Sequence, residues 1–216
     1  MKKKSWLNAA TAVTLCRFAL IPVIVFFYFS TSFIGAGKLI AMILFIVAAL
    51  TDFIDGWIAR KFNQITDLGK LLDPIADKTL TFVGFLLVFS DVALIGVLYP
   101  IWFAFIVFFI ATFRDFITNA LRQFAALKNH VIAADIFAKI KSFLQFIGIS
   151  LAMFYAFYFI KDGVTPDIFY SSEVMLRWAT WVFLGASAIL SVMSGISYIT
   201  QYAKLVNHPK QPPTVK

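Results

Sequence analysis

Residues 101–109 read Ile101-Trp102-Phe103-Ala104-Phe105-Ile106-Val107-Phe108-Phe109, nine apolar side chains in succession. A barrel strand that crosses lipid alternates apolar and polar positions over about ten residues, and this run does not alternate. Inside a bilayer each backbone N–H and C=O must find its partner within the protein, which leaves the α-helix. Working outward, the run belongs to an apolar stretch over 97–121, and five more of the kind cover 15–33, 38–60, 70–90, 137–160 and 174–204. Each matches the roughly 20 residues that a membrane-spanning helix needs.

Composition agrees with this all-α integral membrane fold of six transmembrane helices. Of 216 residues, 61% are hydrophobic and 14% charged, with 26 phenylalanines, and the mean hydropathy is +0.87. Soluble domains average about 45–50% apolar and 25% charged residues, so this much apolar surface could not be buried in one soluble domain of this size. A disordered chain is excluded by the same excess. The single cysteine, Cys16, rules out an intramolecular disulfide framework. Met1-Lys2-Lys3-Lys4-Ser5 reads as a retained basic anchor, because Arg17 interrupts the following apolar stretch and no small-x-small cleavage site precedes it.

The net charge of +8 follows membrane topology and gives no cause to expect nucleic-acid binding. With the N-terminus inside, only Lys38, Lys161 and Arg177 of the 19 Lys and Arg fall on the outer side. That asymmetry is the one expected of cytoplasmic loops, so both termini are expected in the cytoplasm.

Acidic residues concentrate between Thr51 and Lys78. At about 100° per residue, Asp52, Asp55, Gly56 and Ala59 share one narrow face of the second helix near its cytoplasmic end. Gly69, Asp73 and Asp77, spaced by fours, form a stripe on the third. Residues 61–68 make a short polar turn, so the two stripes can face each other across an antiparallel hairpin. Charge is expensive here: insertion scales give roughly +2.5 to +3.5 kcal/mol per Asp at mid-bilayer. Pairing with Arg60, Lys70 and Lys78 as solvated helix-end charges would account for any one Asp. Four on facing stripes, with small residues between, point instead to divalent cations, for which carboxylates are hard oxygen ligands. Two such ions can clamp a diphosphate and stabilise the attacking and leaving oxygens. Gly56 and Ala59 leave the face bare for a bulky ligand, and Arg60 supplies a fork for phosphate. Pro74 cannot donate to Lys70, so the third helix is expected to start or bend there.

The pattern Asp52-x2-Asp55-Gly56-x2-Ala59-Arg60-x8-Gly69-x3-Asp73-x3-Asp77 resembles, position for position, the signature of the CDP-alcohol phosphatidyltransferase family. The resemblance implies a membrane enzyme, usually a homodimer, that moves a phosphatidyl group from a CDP-linked lipid to an alcohol and releases CMP. It implies a site of two divalent cations, Mg²⁺ or Mn²⁺, with Asp52, Asp55, Asp73 and Asp77 as ligands and Asp77 also as general base. Gly56, Ala59 and Arg60 would line the CDP portion, and Gly69 would permit close packing beside it. Thr14-x2-Arg17-x4-Pro22 resembles the family's opening, where an interfacial helix leads into the first span. Ala10-Thr11 replaces the Pro-Asn that relatives usually carry there. Trp6 reads as an interfacial anchor.

A second cluster bears on the acceptor. Arg114, Thr118 and Arg122 lie within about 80° on the fourth helix, and Lys139, Lys141, Ser142 and Gln145 open the fifth. Snorkelling anchors would carry the same charges. Arg-Asp-x5-Leu-Arg followed by Ala-Lys-x-Lys-Ser-x2-Gln is similar to the bacterial phosphatidylglycerophosphate synthase branch of the family. That likeness implies CDP-diacylglycerol and sn-glycerol 3-phosphate as substrates, with Arg114, Arg122, Lys139 and Lys141 holding the acceptor phosphate. Lys139 and Lys141 stand about 200° apart on a regular helix, so both engage one ligand only if that end is irregular. It implies residues 1–205 as the membrane domain, 206–216 as a flexible cytoplasmic tail, and a place in the bacterial inner membrane with the active site facing the cytoplasm. Transfer to inositol phosphate, phosphatidylglycerol or serine, and a divalent-cation transporter, are the alternatives. His130 and His208 are isolated, and no glycine-rich phosphate loop or zinc spacing is present in the sequence.

Overall fold

The computed structural model describes residues 9–30, 34–61, 67–91, 94, 98, 100–127, 136–158 and 170–207. Among these the chain forms six α-helices and no strand: α1 (Ala9–Phe29), α2 (Gly37–Lys61), α3 (Asp67–Ser90), α4 (Ile101–Leu127), α5 (Ile136–Tyr158) and α6 (Tyr170–Asn207). Each expected stretch corresponds to one helix, with shifted ends. α1 begins at Ala9 rather than 15, since Ala9-Ala10-Thr11-Ala12 favours helix without being strongly apolar. The expected lead-in is therefore continuous with the first helix. α3 opens at Asp67 and passes through Pro74 seven residues later. Pro74 therefore does not start the helix.

Among the described residues, three helical segments are long and apolar enough to cross a membrane: Ile101–Ala125, Ile136–Tyr158 and Ser172–Ala203. Shorter apolar helical stretches among the described residues are Leu15–Phe29, Gly37–Thr51 and Lys78–Ser90. Along α4, Trp102, Phe105, Phe109 and Phe113 are exposed, as is Phe116 at 70%. A water-soluble monomer does not leave so continuous an apolar face. It belongs in lipid, and the protein is an integral membrane protein.

The chain divides into two compact units, Met1–Ile101 with Phe146–Val182, and Trp102–Gln145 with Phe183–Lys216. In the first, α1 packs on α2 and α3, and α2 packs on α3. The buried positions Ile21, Ile24 and Tyr28 on α1, and Ala41, Phe45 and Ala48 on α2, recur at three- and four-residue steps, the stripe of a packed helix. Phe45 lies between two alanines that are wholly buried, and small residues of this kind let helices approach closely in lipid. Its ring meets Phe146 of α5 with centroids 5.8 Å apart. At the far end of the hairpin, Lys38 Nζ donates to Asp91 Oδ2 at 2.6 Å, and the Tyr28 hydroxyl donates to the same oxygen at 3.2 Å. Trp181 Nε1 donates to the Leu98 carbonyl at 2.7 Å, and the Tyr155 hydroxyl to Glu173 Oε1 at 2.8 Å.

In the second unit α4 and α6 run parallel. Phe103 lies beside Gly185, Arg114 beside Ser194 and Gly195, and Arg122 beside Tyr198, so the chain advances together on both helices. The buried stripe of α6, Leu184, Ser187, Ser191, Ser194 and Tyr198, is mostly small and hydroxylated. Ala125 and Tyr198 form a buried pair closed by Leu121 and Tyr202.

Gly84 is the tightest contact of the hairpin. A Cβ there would stand 2.7 Å from Phe45 Cε2 and 3.1 Å from Ile149 Cγ2, and the Phe45 ring, 1% exposed, has little room to retreat. Gly84→Ala is expected to destabilise the protein by about 1–3 kcal/mol through overpacking. Thermal unfolding in detergent micelles checks this, and an unchanged midpoint would contradict it.

Candidate active site

Two described contacts fix the register of α2 against α3. Phe45 meets Gly84, and seven residues back along α2 Lys38 meets Asp91, seven residues on along α3. The helices are therefore antiparallel, and because seven residues close two turns, both contacts lie on one stripe of each helix. Carried seven residues toward the connection, the same register sets Asp52 level with Asp77. Four residues further it sets Gly56 level with Asp73. Asp55 follows Asp52 by one turn, and Ala59 and Arg60 complete the last turns of α2. The side chains of Asp52, Asp55, Gly56, Ala59, Arg60, Gly69, Asp73 and Asp77 lie outside the described residues. What the fold contributes is their level on two helices that pack together.

Arg17 sits on the helix that packs against both of these. It is 1% exposed, among the largest fully buried side chains of the protein. By charge alone it reads as one more inner-side cation, and by spacing as part of the opening motif. A buried ionisable residue inside an apolar helix marks a functional position more often than an anchor, and the signal for it in the sequence is its place within the run from Leu15 to Phe29.

The second unit carries a network of cations. Asp115 Oδ1 accepts from Arg114 Nη1 at 2.8 Å and from Lys141 Nζ at 2.6 Å. Lys141 is 1% exposed, and this carboxylate offsets its buried charge. Arg114 Nη2 also donates to Ser194 Oγ, and Arg122 Nη2 donates to the Tyr198 hydroxyl. Both guanidiniums lie over the Tyr198 ring, 5.4 Å and 5.0 Å from its centroid. Gly195 leaves room for the Arg114 stem, since a Cβ there would stand 3.3 Å from its Cγ. Thr118 Oγ1 donates to the Arg114 carbonyl at 2.8 Å.

Arg114, Arg122 and Lys141 are thus brought into one cluster, with Arg122 reaching the exposed surface. Lys139 is exposed while Lys141 is buried, as their angular separation on a regular α5 requires. Asp115, Ser194 and Tyr198 join the site only through the fold. Asp115 at least adjoins Arg114, whereas nothing local marks Ser194 or Tyr198, about 80 residues away. Among the described residues, Arg114 Nε, Gln145 Nε2 and Ser191 Oγ are buried without a hydrogen-bond partner. Buried donors left open in this way are rare and call for a ligand or ordered water.

The family model described as CDP-alcohol phosphatidyltransferase matches residues 7–197. The chain belongs to the CDP-alcohol phosphatidyltransferase family. It is similar to a protein of Rickettsia bellii, 33% identical over 193 residues, covering 88% of this chain and 93% of the relative. A Rickettsia felis protein is 34% identical over 194 residues, with 88% and 93% covered. One from Bacillus subtilis is 34% identical over 154 residues, with 66% and 75% covered. All three relatives are named CDP-diacylglycerol–glycerol-3-phosphate 3-phosphatidyltransferase. This CDP-alcohol phosphatidyltransferase is accordingly a membrane enzyme, a transferase of phospholipid biosynthesis.

Asp115 is expected to matter to the fold of the enzyme as well as to its cations. Asp115→Asn takes the carboxylate shared by Arg114 and Lys141 out of the cluster, a loss of about 3–5 kcal/mol where one partner of a buried pair is removed. Adding Lys141→Met should recover most of it. Unfolding midpoints of the single and double variants check the coupling, and additive effects would contradict it.

Proposed function

We propose that this transferase moves the phosphatidyl group of CDP-diacylglycerol to sn-glycerol 3-phosphate, giving phosphatidylglycerophosphate and CMP. Kinship along 88% of the chain with relatives named for this reaction carries the proposal. The cationic cluster supports it, because a dianionic acceptor that approaches an anionic lipid diphosphate needs local positive charge.

Asp52, Asp55, Asp73 and Asp77 would hold divalent cations, and the donor set fits: four carboxylates offer hard oxygens, as Mg²⁺ and Mn²⁺ prefer. Two ions per site would supply Lewis acidity to the diphosphate and offset charge on the oxygens. Asp77 takes the proton from the acceptor hydroxyl as that oxygen attacks the phosphorus bearing diacylglycerol. A new P–O bond forms, the phosphoanhydride P–O bond breaks, and its electron pair leaves on CMP. Gly56, Ala59 and Gly69 keep their helix faces bare for the CDP portion, and Arg60 contacts its phosphates. Arg114, Arg122 and Lys141 hold the acceptor phosphate, and Lys139 adds to the positive potential at the surface. Gln145 Nε2 and Ser191 Oγ, which lack partners, are available to acceptor hydroxyls.

In this account the six helices span the bacterial inner membrane with both termini and the active site on the cytoplasmic side. Residues 1–205 form the membrane domain, 206–216 a flexible tail, and the enzyme works as a homodimer. The expected tail overlaps the last turn of α6, which runs to Asn207; residues 208–216 lie outside the described residues.

Purified protein supplied with CDP-diacylglycerol, Mg²⁺ or Mn²⁺ and one alcohol at a time tests the proposal through CMP release. Release with sn-glycerol 3-phosphate is expected. Release only with inositol phosphate, phosphatidylglycerol or serine would reassign the acceptor, and metal flux into vesicles without CDP-lipid would indicate transport. Asp77→Asn should lower kcat by about 10²–10⁴-fold, the range for loss of a general base, while CDP-diacylglycerol still binds; near-normal turnover would remove Asp77 from that role.

A further inference from the structure

The proposed acceptor site needs two guanidiniums side by side, and like charges at that spacing repel. A carboxylate between them would hold them together but cancel the charge a dianionic ligand requires. Asp115 does this for Arg114 and Lys141. Arg122 is treated differently. Its guanidinium carbon lies 5.0 Å from the centroid of the Tyr198 ring, that of Arg114 lies 5.4 Å from the same centroid, and Arg122 also donates to the ring's hydroxyl. An aromatic face attracts cations through its quadrupole and carries no net charge. One neutral ring therefore steadies both arginines and, unlike a second carboxylate, leaves the positive charge of Arg122 for a ligand.

Tyr198 is well placed for this. It is wholly buried and fixed against Ala125, Leu121 and Tyr202, so its ring cannot swing away. One turn before it on α6, Ser194 accepts from the other face of the network at Arg114. We infer that Tyr198 is a positioning residue for the acceptor: it holds Arg114 and Arg122 at the spacing that recognises a phosphate monoester dianion, with Ser194 fixing the rotation of Arg114. The inference rests on the proposed role of the two arginines in binding acceptor phosphate.

Steady-state kinetics of the full-length enzyme in mixed micelles, with CDP-diacylglycerol and sn-glycerol 3-phosphate varied in turn, test it. Tyr198→Leu is expected to raise the acceptor KM by about tenfold or more while kcat and the KM for CDP-diacylglycerol stay within about twofold, the signature of lost uniform binding. Tyr198→Phe, which keeps the ring, should restore the acceptor KM to within about threefold of the starting enzyme. An unchanged acceptor KM in Tyr198→Leu, or an equal loss in all three constants, overturns the inference. Should Tyr198→Leu lose its monodisperse elution, Tyr198→Phe combined with Ser194→Ala removes both hydroxyl partners and keeps the ring packed. A rise in the acceptor KM alone is then expected, and no rise overturns it. Arg122→Ala measured alongside separates the two levels. If it raises the acceptor KM and Tyr198→Leu does not, only the positioning role fails; if it has no effect, the acceptor-site assignment fails and the positioning role with it.

Discussion

The register of α2 against α3 is the constraint on which the rest depends. It is held by the Lys38–Asp91 ion pair at one end and by the Phe45 ring seated on Gly84 in the middle. Neither contact belongs to the acidic stretch, yet together they decide which residues of that stretch come level. A shift of one residue would rotate the acidic stripes by about 100° relative to the packing faces. The ion pair itself lies in partly buried surroundings, with side-chain exposures of 15% and 10%. Such pairs specify an arrangement more reliably than they stabilise one.

Charge in the rest of the protein obeys the same rule. Each basic residue of the cationic cluster that enters the apolar layer is met by something specific: a carboxylate for Lys141, a carboxylate and a hydroxyl for Arg114, an aromatic ring for both arginines. Lys139, which stays at the surface, needs no such provision. The buried Gln145 Nε2 and Ser191 Oγ are among the described atoms that find no hydrogen-bond partner, and they adjoin the cluster in sequence, one turn from Lys141 and Ser194.

Much of the fold and of the candidate site is legible in the chain. Nine unbroken apolar residues at 101–109 exclude a barrel, and the spacing of Asp52, Asp55, Asp73 and Asp77 is enough to place them on two helix stripes. Helix ends are less legible, because hydropathy marks where lipid ends and the backbone keeps its helix past that point, as at Ala9 and Asn207. The start of α3 lies at Asp67, seven residues before Pro74. Ser194 and Tyr198 are hidden by distance, since local periodicity carries no sign of which α4 residue an α6 side chain will meet.

The central claim is that acids on both arms of the hairpin act on the same cations. Equilibrium binding of Mn²⁺ to the detergent-solubilised protein with CDP-diacylglycerol present, followed by electron paramagnetic resonance, measures it without reference to turnover. Asp52→Asn on α2 and Asp77→Asn on α3 should each weaken the same Mn²⁺ binding by about tenfold or more, and the double variant should lose little beyond either single one, as coupled neighbours do. Unchanged affinity in both variants, or losses that simply add, would contradict a shared site.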